Sequence, residues 1–255
     1  MKVEAIPSSP RDPARLHYLT TFLIDGRVAI DAGALAIHGS AEDQARVRDV
    51  FLTHVHADHS GGLPIFLENV IDGERDGPTV HGSAFTLSSL RQDIFNDRIW
   101  PNFVEMYVGS HRFVRLHEIA AERPVALGDL RITPIAVDHP IPTFGYLVGD
   151  GKKSVLFSGD TGPTARLWDV ARATPDLRAV FLECSFPDEL ADLARRSGHL
   201  TPTTFAAELD KLARPEIPVY AFHLKARFRD ATARQLAALA RPNLALAELG
   251  RAYDF

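Results

Sequence analysis

One seven-residue stretch constrains this chain more than any other: Thr53 to His59, reading T-H-V-H-A-D-H. Four of its residues, His54, His56, Asp58 and His59, carry the imidazole nitrogens and carboxylate oxygens that zinc, iron and manganese bind at neutral pH. The preceding run, Val-Arg-Asp-Val-Phe-Leu-Thr, ends apolar and β-prone, and the following Ser-Gly-Gly-Leu-Pro-Ile-Phe-Leu begins like a helix. The four candidates therefore fall on a loop at a strand end, where side chains are free to converge. His54 and His56, at i and i+2, share a face and can bind one ion together. Asp58 and His59 lie one turn further on and face a second. A lone histidine in a loop is ordinarily a solvated polar residue, but this density of donors reads as a metal site. Each ion takes about four ligands, one position staying open in a catalytic site. About three more ligands are therefore expected, each at a strand end.

Three places meet that expectation. Asp138-His139 ends the apolar run Ile-Ala-Val, and Pro140 and Pro142 stop regular structure after it. Ser158-Gly159-Asp160-Thr161-Gly162 ends Val-Leu-Phe, its glycines allowing a tight turn with the carboxylate at the tip. His223 ends Pro-Val-Tyr-Ala-Phe. Singly, a histidine at a strand end or an aspartate in G-D-T-G is more often a surface residue or a turn former. Together they repeat the context of Thr53 to His59.

The chain has 255 residues, 45% of them hydrophobic, enough for a large core. No linker is long or polar enough to divide it, so a single domain over residues 1–255 is expected. A net charge of −5 argues against non-specific coating of nucleic acid. It leaves room for a small anionic substrate, because bound divalent cations make a site locally positive. The single cysteine, Cys184, excludes an internal disulfide and suits a reducing compartment. The first ten residues contain no apolar leader segment, and no apolar run approaches about 18 residues. A cytoplasmic protein without a membrane partner is expected, and a homodimer is compatible with the sequence.

The residue pattern predicts a hairpin over Leu16 to Asp31, turning at Asp25-Gly26. A short helix is expected over Ala41 to Val47, then a helix over Gly62 to Val70 and a strand over Thr79 to Gly82. Ser83 reads as the N-cap of a helix running to Asn96, followed by the irregular aromatic stretch Asn96 to Phe103. Strands follow over Phe113 to Ile119, Pro124 to Leu127, Leu130 to Val137, Phe144 to Val148 and Ser154 to Ser158. The second half alternates strands at Ala179 to Glu183, Val219 to Phe222 and Leu244 to Ala247 with four helices. These helices are Thr164 to Arg172, Asp188 to Arg196, Pro202 to Ala213 and Asp230 to Ala240. Two β-rich blocks, each followed by helices, suggest two sheets face to face with helices outside.

With H-x-H-x-D-H followed by a distant His, Asp and His in that order, the chain resembles the metallo-β-lactamase superfamily over nearly its whole length. The resemblance implies an α/β, four-layer αββα sandwich of two mixed sheets with a dinuclear site at one edge. It implies that His54, His56 and His139 hold one metal and that Asp58, His59 and His223 hold the other, with Asp160 bridging. The ions would be zinc, with manganese or iron as alternatives. Aspartate rather than cysteine at the bridging place points away from β-lactamases and toward phosphoesterases and thioesterases.

Finer motifs are similar to the class II cyclic nucleotide phosphodiesterases: Leu182-Glu-Cys-Ser-Phe-Pro187, Gly198-His-Leu-Thr-Pro202, Gly159-Asp-Thr-Gly-Pro163 and Phe95-Asn-Asp-Arg-Ile-Trp-Pro101. The related tRNA 3′-processing endonucleases share the Glu and His of the first two. This resemblance implies a hydrolase that opens a phosphodiester, a 3′,5′-cyclic nucleotide, to the 5′-nucleotide by attack of a metal-bridging hydroxide. Asp58 would steer the water's proton, and His199, held by Glu183, would face the phosphate as proton donor or anion stabiliser. His199 also precedes the helix start Thr201-Pro202, and the two roles are compatible. Asn96, Trp100 and Phe103 are expected to contact the substrate, the aromatics by stacking on a base, although core packing explains either aromatic alone. Ala57 stands where the class usually has Leu. No Gly- and Lys-rich insertion resembles the substrate-gripping arm of the tRNA endonucleases, so a small anionic phosphodiester, rather than nucleic acid, is the expected partner. The competing readings are a thioesterase, lactonase or sulfatase on the same site, an RNA-processing nuclease, or a silent metal-binding module. The last would be marked by a missing ligand, and none is missing.

Overall fold

The computed structural model describes residues 1–8 and 16–255. The expected start of the first hairpin at Leu16 lies at the edge of the described residues. The chain divides into two compact units. The first comprises residues 1–14, 19–119 and 249–254, and the second comprises 15–18, 120–248 and 255.

The first unit is built on a seven-stranded mixed sheet ordered β16-β1-β2-β3-β4-β5-β8. Its strands are β1 (Lys2–Ala5), β2 (Phe22–Ile24), β3 (Val28–Ile30), β4 (Asp49–Phe51), β5 (Thr79–Gly82), β8 (Arg115–Glu118) and the C-terminal β16 (Ala252–Asp254). Strands β6 (Tyr107–Val108) and β7 (His111–Arg112) form a separate small hairpin. β2 and β3 turn at Asp25-Gly26, both with positive φ (49° and 67°), as a tight primed turn requires. From β3 onward, β4, β5 and β8 are parallel. The helices are α1 (Ala41–Gln44), α2 (Ala57–Ser60), α3 (Leu63–Val70) and α4 (Ala84–Ser89). α3 buries Leu63, Phe66, Leu67 and Val70, the i, i+3, i+4, i+7 stripe of an amphipathic helix. Ser83 caps α4 by accepting from the Thr86 amide. The expected long helix breaks after Ser89 into a five-residue π-turn, Leu90–Ile94.

The second unit holds another seven-stranded mixed sheet, ordered β15-β14-β13-β12-β11-β10-β9. Strands β9 (Val125–Leu127), β10 (Leu130–Val137), β11 (Thr143–Gly149) and β12 (Ser154–Phe157) form an antiparallel meander. β13 (Leu177–Glu183), β14 (Val219–Phe222) and β15 (Leu244–Leu246) then add in parallel to β12. Helices α5 (Arg166–Ala173), α6 (Ala191–Ser197), α7 (Pro202–Leu212) and α8 (Arg229–Ala238) complete the unit. The two large mixed sheets with their helices agree with the expected α/β class.

The terminal strands were not legible from local pattern. β1 and β16 pair antiparallel, Val3 opposite Tyr253, a contact that short runs of three or four residues do not announce.

Glycine at 33 follows from a close approach. A Cβ there would stand 2.1 Å from the Asp58 carbonyl oxygen and 2.9 Å from the Thr20 amide nitrogen. The Thr20 amide also donates to the Asp58 carbonyl at 2.7 Å. Gly33→Ala must therefore push the loop after β3 away from the turn that carries Asp58. Denaturant unfolding is expected to show a loss of about 2 kcal/mol or more; an unchanged midpoint would contradict the close approach.

Candidate metal centre

Both units place donors just past the carboxyl ends of strands, and except for His139, which follows the antiparallel β10, these strands have parallel neighbours, the edge at which open α/β sheets bind ligands. In the first unit, β3 ends at Ile30 and the chain turns at Asp31, whose φ of +60° is rare for a residue with a side chain. That turn buries the Asp31 carboxylate, 1% exposed, under the end of β4. There it accepts from the Thr53 amide at 2.8 Å, from the Thr53 hydroxyl at 2.9 Å and from His59 Nδ1 at 2.7 Å. Burial pushes the Asp31 carboxyl above its ordinary range, while the His59 ring and the Thr53 donors pull it back down.

These bonds decide which ring nitrogens face outward. His59 gives its Nδ1 proton to Asp31, so Nε2 keeps a lone pair. Thr53 Oγ1 lies 2.9 Å from His54 Nδ1. With its own proton spent on Asp31, that hydroxyl accepts from His54 and leaves His54 Nε2 as a base. His54 Nε2 then stands 2.9 Å from His56 Nδ1. Two ring nitrogens at that distance share either a proton or a cation. Asp58 Oδ2 lies 4.0 Å from His59 Nε2, on the single-turn helix α2. His54 and His59 are fully buried and His56 is exposed.

In the second unit, β10 delivers His139, β12 delivers Asp160, β13 ends in Glu183 and β14 delivers His223. His139 Nδ1 donates to the Gly198 carbonyl at 3.0 Å, leaving Nε2 available. Burial holds the His139 ring below its ordinary pKa, which favours the neutral, ligating form. A Cβ on Gly198 would meet Pro140 Cδ at 2.5 Å, so glycine permits this contact. Asp160 Oδ1 lies 3.4 Å from His223 Nδ1, and both residues are 2% exposed at the side chain. His223 has φ +65°, so the donors that close β3 and β14 both depend on left-handed residues.

Glu183, fully buried, accepts from the Thr161 amide at 3.1 Å, from the Ser185 hydroxyl at 3.1 Å and from His199 Nδ1 at 2.7 Å. Burial lowers the His199 pKa, but the charge and hydrogen bond of Glu183 outweigh it and the net shift is upward. His139, Asp160 and His199 each offer a donor atom within 4.8 Å of the others, as do Glu183, His199 and His223. Donors of this chemistry imply a divalent metal. The orienting partners Asp31 and Gly198 hold the His59 and His139 rings by Nδ1 and so turn Nε2 outward, as such an ion requires.

Four contributors carried no local signal. Asp31 and Thr53 orient His54 and His59. Ser185 Oγ lies 2.9 Å from His223 Nδ1 and 3.1 Å from His199 Nδ1. Lys225 Nζ stands 3.3 Å from His223 Nε2. An aspartate immediately after a strand and two residues before a glycine is a signal too common to single out Asp31.

The expected substrate contacts, Asn96, Trp100 and Phe103, lie on the stretch that follows the π-turn of the first unit. Asn96 spends its side chain inside its own loop, donating to the Gln92 carbonyl at 2.8 Å and accepting from the Ile99 amide at 2.9 Å. Phe103 is 4% exposed and stacks on Phe113 at 3.9 Å and on Phe95 at 5.6 Å. It belongs to the core cluster of its unit and also lines the cleft beside Trp100. Trp100 borders a cleft of about 640 Å³ that also involves Glu68 and Ile71, at the last turn of α3.

A model of the Beta-lactamase superfamily domain matches residues 20–223. A probable 3′,5′-cyclic-nucleotide phosphodiesterase of Yersinia pestis is 29% identical over 208 residues, 72% of this chain and 58% of that protein. The chain spans about half the length of curated relatives it matches, 58% and 54% for two phosphodiesterases. Among solved structures, unliganded yeast PDE1 superposes with a TM-score of 0.79 at 18% identity, covering 98% of each chain. The short form of human tRNase Z gives 0.69 at 17% identity, covering 100% of this chain and 99% of that one.

Asp31→Asn keeps the shape but removes the charge that holds the His59 proton. Metal content after dialysis, read by elemental analysis, should show affinity lowered about 10- to 100-fold; retention equal to wild type would deny Asp31 an orienting role. The matched model covers well over half of the chain and every donor described above, and the chain belongs to the β-lactamase superfamily.

Proposed function

We propose that this protein is a dinuclear-metal phosphodiesterase acting on a small phosphodiester, a 3′,5′-cyclic nucleotide in particular. In this reading His54, His56 and His139 hold one divalent ion, and Asp58, His59, His223 and the bridging Asp160 hold the second. Zinc fits the nitrogen-rich donor set, and manganese and iron share it. The observation that carries the reading is the Glu183–His199 pair, 2.7 Å apart and set directly against Asp160 and His223. A pure metal store has no use for a buried carboxylate that orients an imidazole beside the donors.

Bound ions would supply the charge that neutralises the phosphate and acidifies the attacking water. The rest belongs to the chain. With Nδ1 held by Glu183, His199 presents Nε2 to the substrate, and its raised pKa keeps a proton there to donate to the departing ribose oxygen. Asp58, 28% exposed at the side chain, is placed to accept the proton of the incoming water. Lys225 adds a cation beside His223. A cavity of about 460 Å³ opens at His199 between Pro163 and the α6 residues Ala191 and Ala194, within the size range of small-molecule sites. It is the natural place for the nucleoside part of the substrate. The names of the phosphodiesterase relatives support the phosphodiester.

The test is a panel of bis-p-nitrophenyl phosphate, cyclic nucleotides, a thioester and precursor tRNA, combined with elemental analysis. Turnover of the cyclic nucleotides is expected; turnover of the thioester or precursor tRNA alone would replace this reading. Asp160→Ala should abolish hydrolysis together with metal. His199→Ala should keep the metal and lose about 10²- to 10⁴-fold in kcat. Metal lost with activity in the His199 variant would remove its proton-donor role.

The pH profile tests the pair independently. The donor works while His199 is protonated, so kcat falls as pH rises through its pKa. Glu183→Gln removes the charge that raises that pKa, and the alkaline limb of kcat should move to lower pH. A limb that stays in place would assign the proton to another group.

A further inference from the structure

Outside the centre, the first unit contains a second arrangement of metal-ligating groups, formed by Asp49, His81 and His117 on three adjacent parallel strands. β4, β5 and β8 run side by side, and the register sets Phe51 opposite His81 and His81 opposite His117. Asp49 lies two residues before Phe51 and so shares its face. The Phe51 ring stacks on the His81 ring at 4.1 Å with an interplanar angle of 1°, fixing the imidazole plane. His81 is 3% exposed, whereas His117 is exposed on the edge strand.

Asp49 Oδ1 accepts from His81 Nε2 at 2.8 Å. That bond puts the His81 proton on Nε2 and leaves a lone pair on Nδ1. His81 Nδ1 faces His117 Nδ1 at 2.9 Å, the same separation as between His54 Nε2 and His56 Nδ1. A carboxylate that orients a buried histidine, with that histidine's free nitrogen aimed at a second imidazole, is the outer-shell pattern of metal-bound histidines. Two nitrogens on one tetrahedral zinc, each about 2.0–2.1 Å from it, stand about 3.3 Å apart. A small rotation of the exposed His117 ring supplies the difference.

We propose that His81 and His117 form a separate binding site for a borderline divalent cation such as zinc, with Asp49 as the residue that orients His81. Two imidazoles select zinc, copper or nickel over magnesium and calcium, which take oxygen ligands. The remaining coordination positions face solvent at the sheet edge, so the ion exchanges readily and ties β8 to β5. The site does not depend on the phosphodiesterase reading.

The test compares metal-depleted wild type with His117→Ala after equilibrium dialysis against micromolar zinc chloride. Any zinc in the other donors is common to both proteins, so the difference isolates this site. Wild type should retain one equivalent per chain more than the variant. The imidazole proton signals of His81 and His117 should shift as that equivalent is added. His117→Ala, altering an exposed edge residue, should hydrolyse bis-p-nitrophenyl phosphate as wild type does. Asp49→Asn should weaken the extra equivalent about 10- to 100-fold. Equal zinc in wild type and His117→Ala, or imidazole signals that do not move, would overturn the proposal and leave the pair as a simple hydrogen bond.

Discussion

A hydrogen bond from a histidine to a buried carboxylate is the interaction on which the donor cluster of each unit depends. Removing a carboxylate from water costs several kcal/mol unless donors replace the lost hydration. Asp31 and Glu183 are both buried, and each is met by a backbone amide, a hydroxyl and an imidazole Nδ1. The same bonds that make burial tolerable fix the tautomer of His59 and His199. Stability and function therefore rest on one set of contacts. Glu208 is the contrast. It is equally buried but is met by Trp168 Nε1 at 2.6 Å, Lys211 and the Thr164 amide, with no histidine, and it belongs to the core of its unit.

Left-handed backbone falls at two of those contacts. Asp31 and His223 adopt left-handed φ at the ends of β3 and β14, and a side chain there costs of order 1–3 kcal/mol. At both positions the side chain's own bonds hold the conformation. Glycine appears where a Cβ could not fit, at Gly33 against Asp58 and at Gly198 against Pro140. The motif Gly198-His-Leu-Thr-Pro202 is thereby explained residue by residue. Gly198 ends α6 in the left-handed region and its carbonyl takes the His139 proton. His199 pairs with Glu183, and Thr201-Pro202 begins α7.

The two sheets repeat one plan, an antiparallel portion joined to a parallel portion, with donors at the carboxyl ends of the parallel strands. Parallel neighbours end at the same edge, so residues far apart in sequence arrive side by side without any helix or loop being specially shaped. Asp160, Glu183 and His223 meet for that reason, although 63 residues separate the first from the last. Aromatic side chains follow a different rule. Phe103 stacks between Phe95 and Phe113, so that large apolar rings are buried together.

The sequence by itself determined the donors and their local setting. Thr53 to His59, His139, Asp160 and His223 are all of ligating type, and each follows an apolar β-prone run, a pattern set by neighbours along the chain. Most strands and helices were legible for the same reason, since periods of 2 and 3.6 residues are local properties. What only the tertiary structure decided are the relations between distant segments. Asp31 serves His59 from 28 residues away, Ser185 serves His223 from 38, and β1 finds β16 at the other terminus. Nothing near these residues in the sequence encodes those partners. The same limit applies to Asn96, Trp100 and Phe103, whose motif resembles a substrate-contacting one. Whether an aromatic ring lines a pocket or fills a core depends on which surface the folded chain lays against it.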